Sequence, residues 1–302
     1  MRRSKKILNP KKISFFISRN QQVLLLFGLI IVICGFFDFY FKNSNLLIPF
    51  LITTLISSIL TFLGIPKLKN IKIKQIIRKE GPTNHFIKQG TPTMGGIFFV
   101  PVGIIISNIL YLNTDYYKIV LTLSFLIIFF MFIGFIDDFL SLRKKMNTGL
   151  NANQKLILQL FISLIFMIIC SSNDFIPNNI EIGNRFLNIG NLIYPLGVFV
   201  LLAESNSTNL TDGLDGLLSG CSALIFTGLA ISILIENANN NQTLSPLCMV
   251  MAGACMGFLF LNKYPAKLFM GDSGSLAIGA SLGGIALISN NLWSLLIMGG
   301  IL

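Results

Sequence analysis

The chain has 302 residues, of which 53% are hydrophobic and only 12% are charged. Soluble domains carry about 25% charged residues, so this composition excludes an ordinary soluble globular protein. A formal net charge of +11 would suggest nucleic-acid binding in a soluble protein. In a membrane protein, retention of lysine and arginine on one side explains that charge more simply, and we expect no nucleic-acid partner.

Long apolar runs follow one another from residue 22 to the last residue. A helix needs about 20 apolar residues to cross a bilayer, so these runs predict an all-α, polytopic integral membrane protein. A tenth run begins near Leu292 and is still apolar at Leu302, and we therefore expect the protein to continue beyond this residue. Nine complete spans are predicted, at residues 22–41, 45–65, 96–112, 119–137, 156–172, 190–207, 214–235, 247–262 and 274–290.

The density of lysine and arginine alternates between successive loops, which predicts the direction of each span. Basic residues are dense before the first span, between the second and third, and after the fourth, and two more follow the eighth. The intervening loops are poor in them: Asn113–Lys118 and Ser171–Gly190 hold one each, and Glu236–Ser245 holds none. The N-terminus and all the basic loops are therefore expected in the cytoplasm.

The polar motifs of the chain fall on this same predicted cytoplasmic side. Lys88–Gly96 enters the third span, Asp137 and Asp138 close the fourth, Asn209–Leu217 follows the sixth, and Asn262–Ser275 joins the eighth and ninth. A structural scaffold has no reason for that asymmetry. Taken singly, an aspartate pair also fits a plain helix end, and the glycines also fit helix packing.

The stretch Asn209–Leu217 is the most polar of these motifs and carries two acids, Asp212 and Asp215. On a helix, residues three apart share a face, which would direct both carboxylates to one place. Alternatively, the stretch is a polar loop between two spans, in which aspartate and glycine serve as cap and turn residues.

Five aspartates are thus predicted to gather near one surface. They would repel one another unless a cation intervenes, and Mg²⁺ prefers carboxylate, water and phosphate oxygens. The neighbouring glycines would let the backbone approach a phosphate, and Lys88 offers it a positive charge. The residues therefore predict phosphoryl chemistry at a membrane surface, catalysed by positioning and electrostatics. The five acids are Asp137, Asp138, Asp212, Asp215 and Asp272.

In this order, KxGTPTMGG, a span-end Asp-Asp, NLTDGLDGL and PAxxFMGDxGSL resemble the phospho-N-acetylmuramoyl-pentapeptide-transferase family of polyprenyl-phosphate sugar-1-phosphate transferases. The resemblance implies Mg²⁺-dependent transfer of phospho-MurNAc-pentapeptide from UDP-MurNAc-pentapeptide to undecaprenyl phosphate. The products would be lipid I and UMP, in peptidoglycan synthesis. It also implies a bacterial plasma membrane location among membrane lipids, with the active site facing the cytoplasm, and it leaves a homodimer open.

The resemblance further implies roles for single residues. Asp272 would bind Mg²⁺, and Asp137 and Asp138 would form an essential catalytic pair in which Asp137 engages or deprotonates the lipid phosphate. Residues that would line the uridine pocket are Lys88, Gly213, Leu214, Asp215, Asn262 and Phe269. Residues that would support the active site are Thr93, Asn209 and Asp212.

The implied organisation has three parts: a basic cytoplasmic N-terminus at residues 1–21, an additional helix at 22–41, and a transferase domain at 45–302 that is incomplete at its C-terminus. The family's triple-histidine motif and last span would lie beyond Leu302, so little activity is expected if the protein ends there. Glu204 stands where the family has smaller, less polar residues, and the sequence gives no reason for it.

Three alternatives stay open at this point. A sister enzyme would transfer GlcNAc-1-phosphate instead. A cation-coupled transporter would carry its aspartates in mid-span rather than at span ends. An inactive scaffold would bind partner membrane enzymes.

Overall fold

A computed structural model of the chain describes residues 10–41, 44–70, 91–144, 149–182, 185–236, 244–300 and 302. Over these residues the chain is almost entirely helical, which confirms the all-α prediction. The helices are α1 (Pro10–Tyr40), α2 (Leu47–Asn70), α3 (Gly96–Tyr111), α4 (Tyr117–Lys144), α5 (Ala152–Ser172), α6 (Ile193–Thr211), α7 (Leu217–Glu236), α8 (Ser245–Asn262), α9 (Asp272–Ile288) and α10 (Leu292–Gly299).

Six of the described helices are long and apolar enough to cross a membrane: α1, from Asn20, α2, α4, α5, α7 and α8. Helices α3 and α9 are also apolar but shorter. The protein is therefore a multi-pass membrane protein.

One short strand pair was not predicted. β1 (Asn179–Ile182) pairs antiparallel with β2 (Arg185–Asn188) in the loop between α5 and α6, and a 3-10 turn (Gly190–Leu192) follows. Alternating residues such as Ile180 and Leu187 are apolar, but the run is too short for its period to stand out beside long apolar helices. As a result α6 begins at Ile193 rather than at residue 190.

Helix α9 is the centre of the bundle, since all its residues after Asp272 are buried. It packs against α4 and α6, and close contacts show that it runs antiparallel to both. Gly134 of α4 lies at the start of α9, and Gly284 lies near its end beside Leu123 of α4. The relative directions of these helices agree with the alternation predicted from the basic loops.

Helix α1 lies at the periphery. Few of its residues from Asn20 onward are buried, and Phe27 contacts the rings of Phe50 on α2 and Phe260 on α8. Its C-terminal part is tied to α2 through Asp38, whose carboxylate accepts the backbone N–H groups of Leu46 and Leu47 at 2.8 Å each. An acid at that place satisfies N–H groups that a helix start leaves unpaired.

Candidate active site

The C-terminal part of α4 meets the start of α9 through Asp138. Its two carboxylate oxygens accept the backbone N–H groups of Asp272 at 3.2 Å and Ser273 at 3.1 Å. These are the first N–H groups of α9, which have no partner within their own helix. Asp138 is itself buried, so its carboxylate is committed to this contact. Asp138 therefore caps the start of α9, and a catalytic role for it stays a prediction.

The backbones around this junction approach so closely that two glycines are required. A Cβ on Gly134 of α4 would lie 2.1 Å from the carbonyl oxygen of Asp272. Gly271, which precedes α9, has a φ of +73°, and a Cβ there would lie 2.5 Å from Oδ2 of Asp138. The sequence had suggested that Gly271 makes room for a phosphate. The close approach of Asp138 already requires glycine here, and the approach of a phosphate to this backbone stays a prediction.

Asp272 is the residue on which the side chains of three helices converge. Lys155 of α5 places Nζ 2.5 Å from Oδ2 of Asp272. Asn209, near the end of α6, donates from Nδ2 to Oδ1 of Asp272 at 2.8 Å and to Oγ of Ser275 at 2.9 Å. Lys155 Nζ also lies 3.3 Å from Oδ1 of Asn209. The Asp272 side chain remains 27% exposed, so a ligand can still reach it.

Asp137 adjoins this group from the α4 side. Its carboxyl group is near enough to Asp272 for the two negative charges to repel, and its Oδ1 accepts the backbone N–H of Leu150 at 2.9 Å. Unlike Asp138 it is only partly buried. We refer to Asp137, Asp138, Asp272, Lys155 and Asn209 as the acidic cluster. Lys155 is the member that sequence reasoning missed, because it counted there only as a loop charge that sets orientation.

The glycine-rich entry to α3 is joined to the segment before α9. Phe269 donates its backbone N–H to Pro92 at 2.9 Å and accepts that of Gly95 at 2.9 Å. Thr93 is buried, with Oγ1 3.0 Å from where a Cβ of Gly271 would stand. The structure thus brings two of the predicted motifs together through backbone pairing. Lys88 lies outside the described residues.

The motif Asn209–Leu217 spans the end of one helix and the start of the next. Because α6 ends at Thr211 and α7 begins at Leu217, Asp212 and Asp215 lie in the turn between them and not on one helical face. Leu214 is 62% exposed, and a Cβ on Gly213 would meet only the carbonyl oxygen of Leu210, at 3.9 Å. Of the glycines beside the aspartates, Gly213 is therefore the one with open space.

The turn between α6 and α7 is hydrogen-bonded to the loop between α8 and α9. We call these two segments, residues 212–216 and 262–271, the loop pair. Asp215 accepts the backbone N–H of Ala266 at 3.1 Å. Asn262 is buried and accepts from the backbone of Gly216 at 3.0 Å and the hydroxyl of Ser219 at 3.1 Å, while it donates to Leu268 at 3.0 Å.

The α8–α9 loop also carries positive charge. Partial burial, together with the charge of nearby Lys267, lowers the pKa of Lys263. The ammonium of Lys263 lies 6.0 Å from the ring centre of Phe260. Glu204, which the sequence leaves unexplained, has its carboxylate beside Gly299 of α10, where an added Cβ would be 3.4 Å from Oε1. It therefore belongs to the packing of α10 and not to the acidic cluster.

Comparison with known proteins shows the family of the chain. The family model described as Glycosyl transferase family 4 matches residues 120–290, and the pattern described as phospho-N-acetylmuramoyl-pentapeptide-transferase signature 1 matches residues 88–100. A Prochlorococcus marinus protein (strain NATL2A) named phospho-N-acetylmuramoyl-pentapeptide-transferase is 78% identical over the whole chain and 81% of its own length.

Two further relatives bear the same name. One from Prochlorococcus marinus (strain SARG) is 51% identical over 92% of this chain and 75% of its own length. One from Synechococcus sp. (strain CC9605) is 48% identical over 87% of this chain and 76% of its own length. The chain therefore belongs to the phospho-N-acetylmuramoyl-pentapeptide-transferase family.

Proposed function

We propose that the chain transfers phospho-MurNAc-pentapeptide from UDP-MurNAc-pentapeptide to undecaprenyl phosphate, giving lipid I and UMP. The reaction would take place at the cytoplasmic face of a bacterial plasma membrane. The observation that carries the proposal is the convergence of Lys155 and Asn209 on Asp272, with Asp137 alongside, at one end of an apolar helical bundle. The family's name supplies the substrates, and the cluster supplies chemistry that suits them.

The cluster fits Mg²⁺ as a cofactor. Among the described residues no group of three or more acidic, histidine or cysteine side chains is arranged to hold a metal ion. Mg²⁺ needs only one or two carboxylates, because water and substrate phosphate complete its shell. Asp272 and Asp137 offer two adjacent carboxylates, and Asp138 is occupied by the start of α9. When bound, Mg²⁺ would neutralise the charge of the diphosphate.

The proposed reaction forms one bond and breaks one. An oxygen of undecaprenyl phosphate attacks the sugar-linked phosphorus of the nucleotide, and the bond to the UMP oxygen breaks. Asp137, whose carboxylate is oriented by the N–H of Leu150, would accept the proton of a lipid phosphate that arrives singly ionised. Lys155 would supply positive charge beside the reacting phosphates and so stabilise the transition state, while Asn209 would hold Asp272 in place through its hydrogen bond.

The loop pair is the proposed binding site for the uridine. Leu214 and Gly213 leave an exposed, open surface, and Phe269 is partly exposed on the neighbouring segment. Asp215 and Asn262 would act mainly by holding the two loops together, since their described contacts are within the protein. The family resemblance would give Lys88 a part in binding the nucleotide, and Asp212 and Thr93 would support the pocket.

The test is transfer of radiolabelled phospho-sugar to undecaprenyl phosphate by purified protein in detergent, with and without Mg²⁺. UDP-MurNAc-pentapeptide and UDP-GlcNAc would be compared. A second sample would carry, after Leu302, the C-terminal part of the 78% identical relative. We expect Mg²⁺-dependent lipid I in at least one sample. Transfer from UDP-GlcNAc alone would establish the sister activity instead, and no transfer in either sample would refute the proposal.

A further inference from the structure

A second polar contact joins α5 and α6, one helical turn farther from the site end than the acidic cluster. Asn206 Nδ2 donates to Oε1 of Gln159 at 3.0 Å and to the backbone carbonyl of Leu202 at 2.8 Å. Gln159 follows Lys155 by four residues on α5, and Asn206 precedes Asn209 by three on α6. Residues at these spacings share a helix face. Each member of the pair therefore adjoins a residue of the acidic cluster.

Gln159 and Asn206 lie where a polar side chain is expected to lower the stability of the protein. Gln159 is fully buried, and its Nε2 is a buried atom that makes no hydrogen bond within the described part of the structure. Ser163, one turn farther along α5, is buried in the same way, and its Oγ has no such partner either. Polar side chains at membrane depth are expensive, and an apolar residue would pack there without that cost. Packing alone therefore does not account for Gln159.

Two side-chain hydrogen bonds join the described parts of α5 and α6: Lys155 to Asn209, and Gln159 to Asn206. The first involves a long, flexible lysine that also reaches Asp272. The second involves two side chains shorter than lysine, and Gln159 is fully buried, so water does not reach it to replace Asn206 as its partner. The second bond is therefore the one able to fix the distance between the helices.

We propose that Gln159 and Asn206 are positioning residues, whose hydrogen bond holds α5 and α6 so that Lys155 and Asn209 both contact Asp272. The inference rests on the proposed function, because it assigns the pair a part in that reaction. The inference predicts that the pair affects catalysis through the position of Lys155. It also predicts that the hydrogen bond is needed, whichever of the two helices carries the longer amide side chain.

The kinetic test is a double-mutant cycle. Gln159→Leu is expected to lower kcat at least tenfold in the parent chain and to have little further effect in a Lys155→Met background. The exchanged pair, Gln159→Asn with Asn206→Gln, should recover at least a third of the parent kcat. A matched control is Asn108→Leu. Asn108 joins α3 to α4 by donating to Ser124 at 2.7 Å, far along α3 from the site end, and its loss should change kcat less than threefold.

A second measurement does not depend on activity. Hydrogen–deuterium exchange of the whole chain should rise several-fold in residues 151–156 and 209–212 of Gln159→Leu, and stay unchanged there in Asn108→Leu. If neither the chain nor its extended form shows transfer, the proposed function fails, while the exchange measurement still decides the inference. Unchanged exchange in Gln159→Leu would overturn the inference. The inference would also be overturned if the kcat losses of Gln159→Leu and Lys155→Met multiply in the double variant. Failure of the exchanged pair to recover kcat would overturn it as well.

Discussion

The acidic cluster and the loop pair are built from the same few residue types, yet they differ in what their side chains contact. In the acidic cluster, Asp272 contacts an ammonium and an amide, and keeps part of its surface exposed. In the loop pair, Asp215 and Asn262 bind backbone groups of the neighbouring loop. Side chains that contact each other can change partners when a ligand arrives. A side chain that accepts or donates the hydrogen bonds of a turn's backbone cannot change partners without leaving those backbone groups unpaired.

Substitutions in the two regions should therefore have different effects. Changes in the acidic cluster should act on kcat with little loss of stability, except at Asp138. Changes in the loop pair should act on stability and on KM for the nucleotide. Four predictions, from the largest expected effect to the smallest, test this division.

Lys155→Met is expected to lower kcat by at least about 100-fold, as does removal of a single preorganised donor in other active sites. The methionine keeps the length of the side chain and removes its charge, so the thermal unfolding midpoint in detergent should move little. Steady-state transfer kinetics would measure the effect, with Lys155→Arg as the control that keeps the charge. A kcat within threefold of the parent would remove Lys155 from the site.

Gly271→Ala is expected to destabilise the protein severely, because its φ of +73° is strained for alanine and the added Cβ would meet Oδ2 of Asp138 at 2.5 Å. Gly213→Ala is the matched control in the loop pair, where the nearest atom is 3.9 Å away. It should fold normally and raise KM for the nucleotide. Thermal unfolding of the two variants side by side checks this, and equal stability would contradict the close approach at Gly271.

Asp138→Asn is expected to cost about 1–3 kcal/mol of stability, which is the penalty for leaving a buried N–H without an acceptor. Asparagine keeps one oxygen, so either Asp272 or Ser273 loses its partner. Denaturant unfolding would measure the loss. Asp138→Ala, which removes both acceptors, should cost more than the asparagine variant, and an alanine variant as stable as the parent would rule out the capping role.

Asp215→Asn is expected to have the smallest effect of the four. The Ala266 N–H that Asp215 accepts can still be accepted by an amide oxygen, so stability should fall by less than about 1 kcal/mol. KM for the nucleotide should rise while kcat stays within about tenfold of the parent. A loss of kcat as large as that of Lys155→Met would place Asp215 with the acidic cluster and break the division.

Much of this arrangement could be predicted from the sequence. Apolar runs located the helices, and basic loops gave their directions, because both depend on the bilayer rather than on tertiary contacts. The meeting of Asp137, Asp138 and Asp272 at one end followed from those directions. Asn209 was singled out by resemblance and does contact Asp272.

What could not be predicted depends on contacts between residues far apart in the chain. Asp138 caps a helix that begins 134 residues later, and sequence spacing carries no trace of such a pairing. Lys155 resembled any loop lysine until α5 placed it beside Asp272. The space at Gly271 could be assigned only after the side chain that fills it was located.

The most direct test of the account is the kcat of Asp272→Asn, measured with saturating UDP-MurNAc-pentapeptide, undecaprenyl phosphate and Mg²⁺, beside Asp215→Asn at matched protein stability. We predict loss of at least about 100-fold for Asp272→Asn, because the substitution removes the charge that Lys155 faces and the carboxylate offered to the cation. Asp215→Asn should keep its kcat within about tenfold of the parent. If Asp272→Asn keeps a kcat near that of the parent, the acidic cluster is not the catalytic centre.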